Sequence, residues 1–214
     1  LAYIAQKYQP LKATIIVSDP RTGFILGMGN YPSFDPNKYN EVPASEQARM
    51  KNVAVTDIYE PGSVFKIVAA SGALAEHLVT PDRLFDCSLT TIDYVSQFDH
   101  RERSLKLPPD DHVFDNPQAV PVSRIISFSS NRGAAQLGML LGEERLYRYA
   151  RAFGFGRALG FPVGGEVNGI LHSPDKWYPI DITRIPMGHT ISATALQMHQ
   201  AMSAIANDGV LLRP

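Results

Sequence analysis

The sequence predicts a mixed α/β fold of the α+β kind, built as one domain over residues 1–214. Three observations carry this reading. A β-hairpin pattern opens the chain, a largely apolar helix starts at the Pro-Gly turn of residues 61–62, and a second group of helices runs through residues 122–153. With 44% hydrophobic and 19% charged residues the chain is long enough to bury a sizeable core, which excludes disordered and fibrous classes.

Residues 1–8 have the spacing of a short helix, ended by Gln9-Pro10. The β-branched run at residues 13–18 and the run at residues 24–29 flank Asp19-Pro20-Arg21-Thr22-Gly23, which predicts a β-hairpin. Residues 30–43 carry Pro32, Asp35, Pro36, Asn37 and Asn40 and predict an irregular loop pinned by Tyr31, Phe34 and Tyr39. Residues 45–50 fit a helical turn, and residues 52–58 an approach to the Pro-Gly turn. The helix from Ser63 is expected to end near His77. Residues 80–117, rich in Asp and Pro with the charged run Asp99-His100-Arg101-Glu102-Arg103, are expected to be irregular, and a stretch of that length is usually functional or partly mobile. Helices at residues 122–128 and 133–141 flank a serine cluster, and residues 143–153 form an amphipathic helix stopped by Gly154-Phe155-Gly156. A glycine-rich loop at 160–169 and an extended connection at 175–188 lead to a helix at 192–206, capped by Asn207-Asp208-Gly209. Val210-Leu211-Leu212 is expected to begin a further strand.

A formal net charge of -1, with both signs mixed along the chain, provides no long-range attraction to nucleic acid or anionic membrane. The longest apolar stretches fall well short of the ~18 to 20 residues that span a bilayer, and no signal-peptide pattern is present, so the piece reads as soluble whatever its parent is. The single cysteine, Cys87, excludes an internal disulfide, and with no histidine or CxxC partner beside it a small buried hydrophobe is the favoured role. The histidines at 77, 100, 112, 172, 189 and 199 lack metal-ligand spacing.

Chemistry concentrates at two places. In Tyr59-Glu60-Pro61-Gly62-Ser63-Val64-Phe65-Lys66 the turn delivers a serine to a helix start, and the lysine three residues later shares its face. A serine hydroxyl is a poor nucleophile until a neighbour takes its proton, and a lysine does so only when burial or another cation keeps its amine neutral. The apolar residues around Lys66 suit that, and amides at the helix start favour negative charge near the serine oxygen. Taken alone, the spacing also fits a helix cap beside a snorkelling lysine, and it recurs at Ser173-Pro174-Asp175-Lys176, where proline and polar neighbours suggest an ordinary turn. The second place is Ser129-Ser130-Asn131, between two apolar helical segments. A hydroxyl and an amide there can relay a proton and fix a lysine or a substrate carbonyl, or Ser129 can simply cap the following helix.

Together, Tyr59-Glu60-Pro61-Gly62-Ser63-Val64-Phe65-Lys66 and Ser129-Ser130-Asn131-Arg132-Gly133 resemble the transpeptidase domain of class B penicillin-binding proteins, in the superfamily of serine DD-peptidases and β-lactamases. Asp19-Pro20-Arg21-Thr22-Gly23-Phe24-Ile25-Leu26 is similar to that family's first hairpin, and Tyr31-Pro32-Ser33-Phe34-Asp35-Pro36 to the loop after it. Leu146-Tyr147 through Phe153-Gly154-Phe155-Gly156, and Ser192-Ala193-Thr194-Ala195-Leu196-Gln197, resemble later landmarks in the same order. The wording from Asn52 to Ser63 leans toward the cell-division (septal) type.

The resemblance implies a β-lactamase/transpeptidase-like fold, with an antiparallel sheet that includes the N-terminal hairpin, flanking helices and a mainly helical subdomain. It implies catalytic roles for Ser63, Lys66, Ser129 and Asn131, with Ser63, Ser129 and Asn131 also binding substrate, and no cofactor or metal. The family's third motif, K-[ST]-G, is missing: no lysine here precedes Thr-Gly or Ser-Gly, and Arg21-Thr22-Gly23 imitates it too early in the chain. The expectation is a domain truncated before that strand and before the last strands of the sheet, without the family's membrane anchor and pedestal domain. The implied activity is peptidoglycan DD-transpeptidation through a Ser63 acyl-enzyme. The implied partners are stem peptides (a D-Ala-D-Ala donor and an amine acceptor), β-lactam antibiotics and, through the full-length protein, membrane-embedded cell-wall synthesis proteins. The implied place is the bacterial cell envelope, on the outer (periplasmic) face of the cytoplasmic membrane. A serine β-lactamase and a non-catalytic β-lactam sensor or scaffold remain open as alternatives; Glu166, in Gly164-Gly165-Glu166-Val167-Asn168-Gly169, is placed where class A β-lactamases keep a deacylating glutamate but sits in a context that looks structural.

Overall fold

The computed structural model describes residues 1–214. In chain order the elements are α1 (Ala2–Tyr8), β1 (Ala13–Ser18), β2 (Ile25–Tyr31), two 3₁₀ segments (Pro36–Glu41 and Ala44–Met50) and α2 (Val53–Thr56). A 3₁₀ turn (Gly62–Phe65) runs into α3 (Lys66–Ala75), followed by β3 (Leu84–Phe85), β4 (Thr91–Val95), β5 (Glu102–Lys106), β6 (Val120–Pro121), α4 (Val122–Ser127), α5 (Asn131–Leu141) and α6 (Glu143–Ala152). Short 3₁₀ turns at Pro174–Lys176 and Ile185–Met187 flank α7 (Asp181–Arg184), and α8 (Ala195–Ala206) is the last helix. No helix is long and apolar enough to cross a membrane.

The chain divides into two compact units, one of Leu1–Ile58, Arg157–Gly169 and Ala193–Pro214, the other of Tyr59–Gly156 and Ile170–Ser192.

In the first unit β1 and β2 pair antiparallel from Ala13↔Tyr31 to Ser18↔Ile25, with the register shifting between Val17 and Ser18. The register shift brings Ile25 to the same face as Ile16 and Met28, and these three pack onto buried Ala54, Val55 and Leu196, with Leu159 and Phe161 completing that core. Thr194 and Gln197 form a reciprocal capping box that starts α8. The Gln197 amide, fully buried, also donates to the carbonyls of Arg157 (2.8 Å) and Asn168 (2.9 Å), and the Glu166 carboxylate accepts from the amides of Leu159 (2.6 Å), Gly160 (2.9 Å) and Phe161 (3.0 Å). The glycine-rich loop is therefore held by two side chains, and Glu166 spends its acceptor sites on backbone. The antiparallel sheet of this unit has two strands. Val210-Leu211-Leu212 differs from expectation: it forms no strand, and the Val210 amide closes a turn on Asn207 instead.

The second unit is mainly helical. α5 is buried along nearly its whole length, and it packs against α3, α4, α6 and α7. Phe65 and Phe155, both fully buried, meet edge to face with ring centroids 4.8 Å apart. α6 is amphipathic, with Leu146 and Ala150 inward and Glu144 and Arg148 in solvent. Residues 80–117 depart from the irregular stretch expected. β4 and β5 form a hairpin from Thr91↔Lys106 to Val95↔Glu102, and β3 pairs with β6. The charged run is that hairpin's turn and return strand: the Asp99 carboxylate accepts from the Arg101 amide (3.1 Å) and from the Arg103 guanidinium. The tip is tied to α6 by Glu143, whose carboxylate accepts from the Tyr94 hydroxyl at 2.6 Å and the Gln97 amide at 3.3 Å. Strands of two and five residues stabilised by such distant partners leave little periodicity to read.

Candidate active site

The second unit contains both chemical motifs. Pro61 keeps an ordinary helical φ, and Gly62 then adopts φ +59°, a left-handed conformation that a side chain would strain. The Gly62 amide donates to the Gly188 carbonyl at 3.1 Å, and a Cβ on Gly188 would stand 2.2 Å from the Gly62 oxygen. Two glycines thus let the 188–190 loop lie flat on the turn before Ser63. The Glu60 carboxylate clamps the same loop, with His189 Nδ1 at 2.8 Å and the Thr190 amide at 2.9 Å. The His189 hydrogen bond, then the Thr190 amide, hold the Glu60 carboxyl below its usual range. His189, which the sequence left without a role, is this clamp's partner.

Ser63 lies inside the 3₁₀ turn, and its side chain is exposed. Lys66 opens α3 and is 2% exposed. Its Nζ donates to the Ser129 carbonyl (2.5 Å), the Ser129 hydroxyl (2.8 Å) and Asn131 Oδ1 (2.7 Å). Burial pushes the amine down from 10.5 to about 8, against the opposing charges of Asp110 and Asp111. That depression raises the neutral fraction at pH 7 by about 300-fold, to roughly one amine in ten. No hydrogen bond joins Lys66 to Ser63; the lysine's three donors are met by the second motif.

The second motif is shaped by backbone as much as by side chains. Ser129 sits at φ +59°, an uncommon place for a non-glycine residue, and this conformation aims both its carbonyl and its hydroxyl at one lysine. Ser129 does not cap α5. Ser130 does, accepting the Gly133 amide at 2.9 Å. The capping alternative therefore falls on the neighbouring serine and leaves the Ser129 hydroxyl to Lys66.

Sequence reasoning missed the residues behind this motif. The Asp110 carboxylate accepts from the Asn131 amide (2.5 Å), the Arg132 amide (3.0 Å) and the Ser130 hydroxyl (3.0 Å), and the Pro109 carbonyl accepts from Asn131 Nδ2 at 2.7 Å. Arg132 Nη1 donates to the carbonyls of Cys87 (3.0 Å) and Ser88 (3.3 Å). Cys87 is a buried free thiol, pushed up by burial, as a small core residue should be. A Pro-Pro-Asp-Asp stretch shortly before an S-x-N signals a loop, but nothing local ties it to a helix twenty residues on.

The site thus brings Lys66, Ser129 and Asn131 into direct contact and sets Ser63 one helical turn from Lys66. The chain is similar to several characterised proteins. Residues 13–214 match the model of the penicillin binding protein transpeptidase domain. The chain is 33% identical over 210 residues to stage V sporulation protein D of Bacillus subtilis, covering 97% of this chain and 30% of that protein. It is likewise 33% identical over 213 residues to the probable peptidoglycan D,D-transpeptidase PenA of Neisseria gonorrhoeae, covering 97% and 33%. Among solved structures, penicillin binding protein 3 of Mycobacterium tuberculosis complexed with ampicillin superposes with a TM-score of 0.82 at 31% identity, covering 98% of this chain and 44% of that one. The chain spans about a third of the length of these curated relatives. With a family model matched over nearly all of its residues, and with the spacing and order of the motifs that family carries, the chain belongs to the penicillin-binding protein transpeptidase family.

Proposed function

We propose that the protein is a peptidoglycan DD-transpeptidase that works through an acyl-enzyme on Ser63. The observation that supports this most is the Lys66 amine, buried, held by Ser129 and Asn131, and brought down to about 8 one turn from an exposed serine. In its charged form the amine donates to all three acceptors. Once neutral it keeps two donors and gains a lone pair, which takes the Ser63 proton directly or through the Ser129 hydroxyl as that group turns from acceptor to donor. Catalytic hydrogen bonds are often long in a free enzyme and close in the substrate complex, which suits the unjoined Ser63 and Lys66.

Ser63 Oγ then attacks the carbonyl between the two terminal D-alanines of a donor stem peptide. The Ser63 amide donates to the developing oxyanion; no residue of this chain is assigned to the second donor. Collapse breaks the amide bond, Ser129 passes the proton to the departing D-alanine nitrogen, and an ester to Ser63 remains. An amine on a second stem peptide attacks that ester, forming the cross-link and returning the proton to the Ser63 oxygen. Asn131 keeps Lys66 in place and helps to bind the substrate. A β-lactam, whose ring carbonyl presents the same group, acylates Ser63 and leaves slowly. The reading extends to septal cell-wall synthesis on the outer face of the cytoplasmic membrane, alongside membrane-embedded partners of the full-length protein. Intact-mass detection of a penicilloyl adduct on the full-length protein, lost in Ser63→Ala, tests the nucleophile; no adduct on a well-folded wild type would sink it. Rapid steady-state turnover of a chromogenic cephalosporin would instead make the protein a β-lactamase.

A further inference from the structure

We propose that Asp110 is a positioning residue for the Ser63 reaction, fixing where Ser129 and Asn131 meet Lys66. The inference rests on the reading of Ser63 as the acylated nucleophile.

The geometry separates two tasks of the loop that carries Asp110. First, it anchors the motif. One carboxylate oxygen accepts from the Asn131 and Arg132 amides, the opening N–H groups of an eleven-residue helix, where a negative charge is favoured by the helix dipole. Both oxygens lie 3.0 Å from the Ser130 hydroxyl, which donates to Asp110 while it caps Gly133. Ser130 is thereby locked, and Ser129 on one side and Asn131 on the other are fixed with it. Second, the loop selects an orientation. Because Pro109 accepts from Asn131 Nδ2, the amide has its oxygen left to face Lys66; a flipped amide would set two donors against each other.

The carboxylate also acts through its charge. Asp110 and Asp111 both oppose the effect of burial on Lys66, so the lysine keeps more of its proton than burial alone would allow. Beside Asp110 the Cys87 thiol shares the Ser130 hydroxyl at 3.5 Å, and Arg132, which gives Asp110 its backbone amide, directs its guanidinium at the Cys87 and Ser88 carbonyls. A helix cap with only a structural duty would alter stability and leave the protonation of Lys66 alone.

Two variants of the full-length protein divide these tasks, read as the rate of penicillin acylation against pH, with melting temperature as the folding check. Asp110→Asn retains an acceptor for the two amides and removes the charge: the plateau rate should stay within about threefold of wild type, while the midpoint of the profile moves to lower pH. Asp110→Ala removes the acceptor as well, and its plateau should fall at least about tenfold, as expected when a positioned catalytic group loses its alignment. A plateau for Asp110→Ala within twofold of wild type overturns the positioning role. A midpoint for Asp110→Asn equal to wild type overturns the electrostatic one. If Asp110→Ala does not fold, Asp110→Asn decides, and if the near-isosteric Asp110→Asn does not fold either, the residue is structural and the proposal fails. A wild-type protein that gives no Ser63 adduct at all sinks the parent reading instead, so the two failures are distinct.

Discussion

Ser63-Val64-Phe65-Lys66 and Ser173-Pro174-Asp175-Lys176 have the same spacing and share one backbone hydrogen bond, although Ser63 lies within its 3₁₀ turn and Ser173 is the extended residue before its own. Each is a 3₁₀ turn in which the lysine amide donates to the serine carbonyl three residues back. Everything else differs. The first turn runs on into α3, whose buried face includes Val68, Ala69 and Ala73, and it carries Lys66 inward to three acceptors on the second motif. The second turn stops at Trp177, whose indole donates to the His172 carbonyl at 2.9 Å, and Lys176 stays in solvent without an ion-pair partner. The local motif makes a serine and a lysine neighbours. What sets one lysine apart is the helix that buries it and a loop sixty residues away that receives it.

The two turns should differ most in what their lysines do. Lys66→Met should slow acylation of Ser63 by about a thousandfold, within the range that a positioned general base contributes, whereas Lys176→Met should leave it within about twofold. Time courses of adduct mass for the two variants check this, and similar losses in both would undo the distinction. The pH profile sharpens the same point. Below about 8 Lys66 is an ammonium ion with no lone pair, so acylation should climb about tenfold per pH unit from pH 6 and level off above 8. A rate flat from pH 6 to 9 would mean that another group takes the proton.

Much of the fold and site was legible because local chemistry dictates it. β1 matched the β-branched run residue for residue, Pro61-Gly62 marked the turn, and Ser192 through Gln197 contained a capping box that starts α8. Lys66, Ser129 and Asn131, which the structure brings into contact, could be singled out with Ser63 as candidates from spacing and order. What stayed hidden is non-local. The β4–β5 hairpin depends on Glu143 from α6, and the support of the second motif depends on Pro109 and Asp110. Ser129 and Ser130 illustrate the limit best: the sequence offers Ser129 as the cap, and the structure gives that duty to Ser130 while the positive φ of Ser129 turns it to Lys66.

A third variant tests the receiving side. Asn131→Asp sets a carboxylate where the amide oxygen now lies, 2.7 Å from Lys66 Nζ, and an opposite charge that close favours the ammonium. The midpoint of the acylation profile should rise by about one unit or more, with a loss near tenfold at pH 7 and partial recovery in alkali. The Pro109 carbonyl would then face an acceptor rather than a donor, so melting temperature should fall too. An unchanged midpoint would show that Asn131 does not govern the lysine's charge.

The smallest effect is expected at Glu60, where the two turns differ in a way that matters less. The 188–190 loop clamps the Ser63 turn through two half-exposed side chains and two backbone contacts, and nothing comparable braces the Ser173 turn. Exposed ion pairs contribute about 0–1 kcal/mol, and glutamine retains an oxygen for the Thr190 amide, so Glu60→Gln should lower stability by less than about 1 kcal/mol and acylation by no more than about threefold. The sign with pH follows from the lowered Glu60 carboxyl: its contribution is present above pH 4.5 and lost as pH falls through the lower folded value, so wild type and variant should converge in acid. Melting curves at pH 7 and pH 3 measure the convergence. A loss of a hundredfold in acylation would assign the clamp to catalysis itself; a small loss leaves the glycine pair, Gly62 against Gly188, as the feature that shapes the turn.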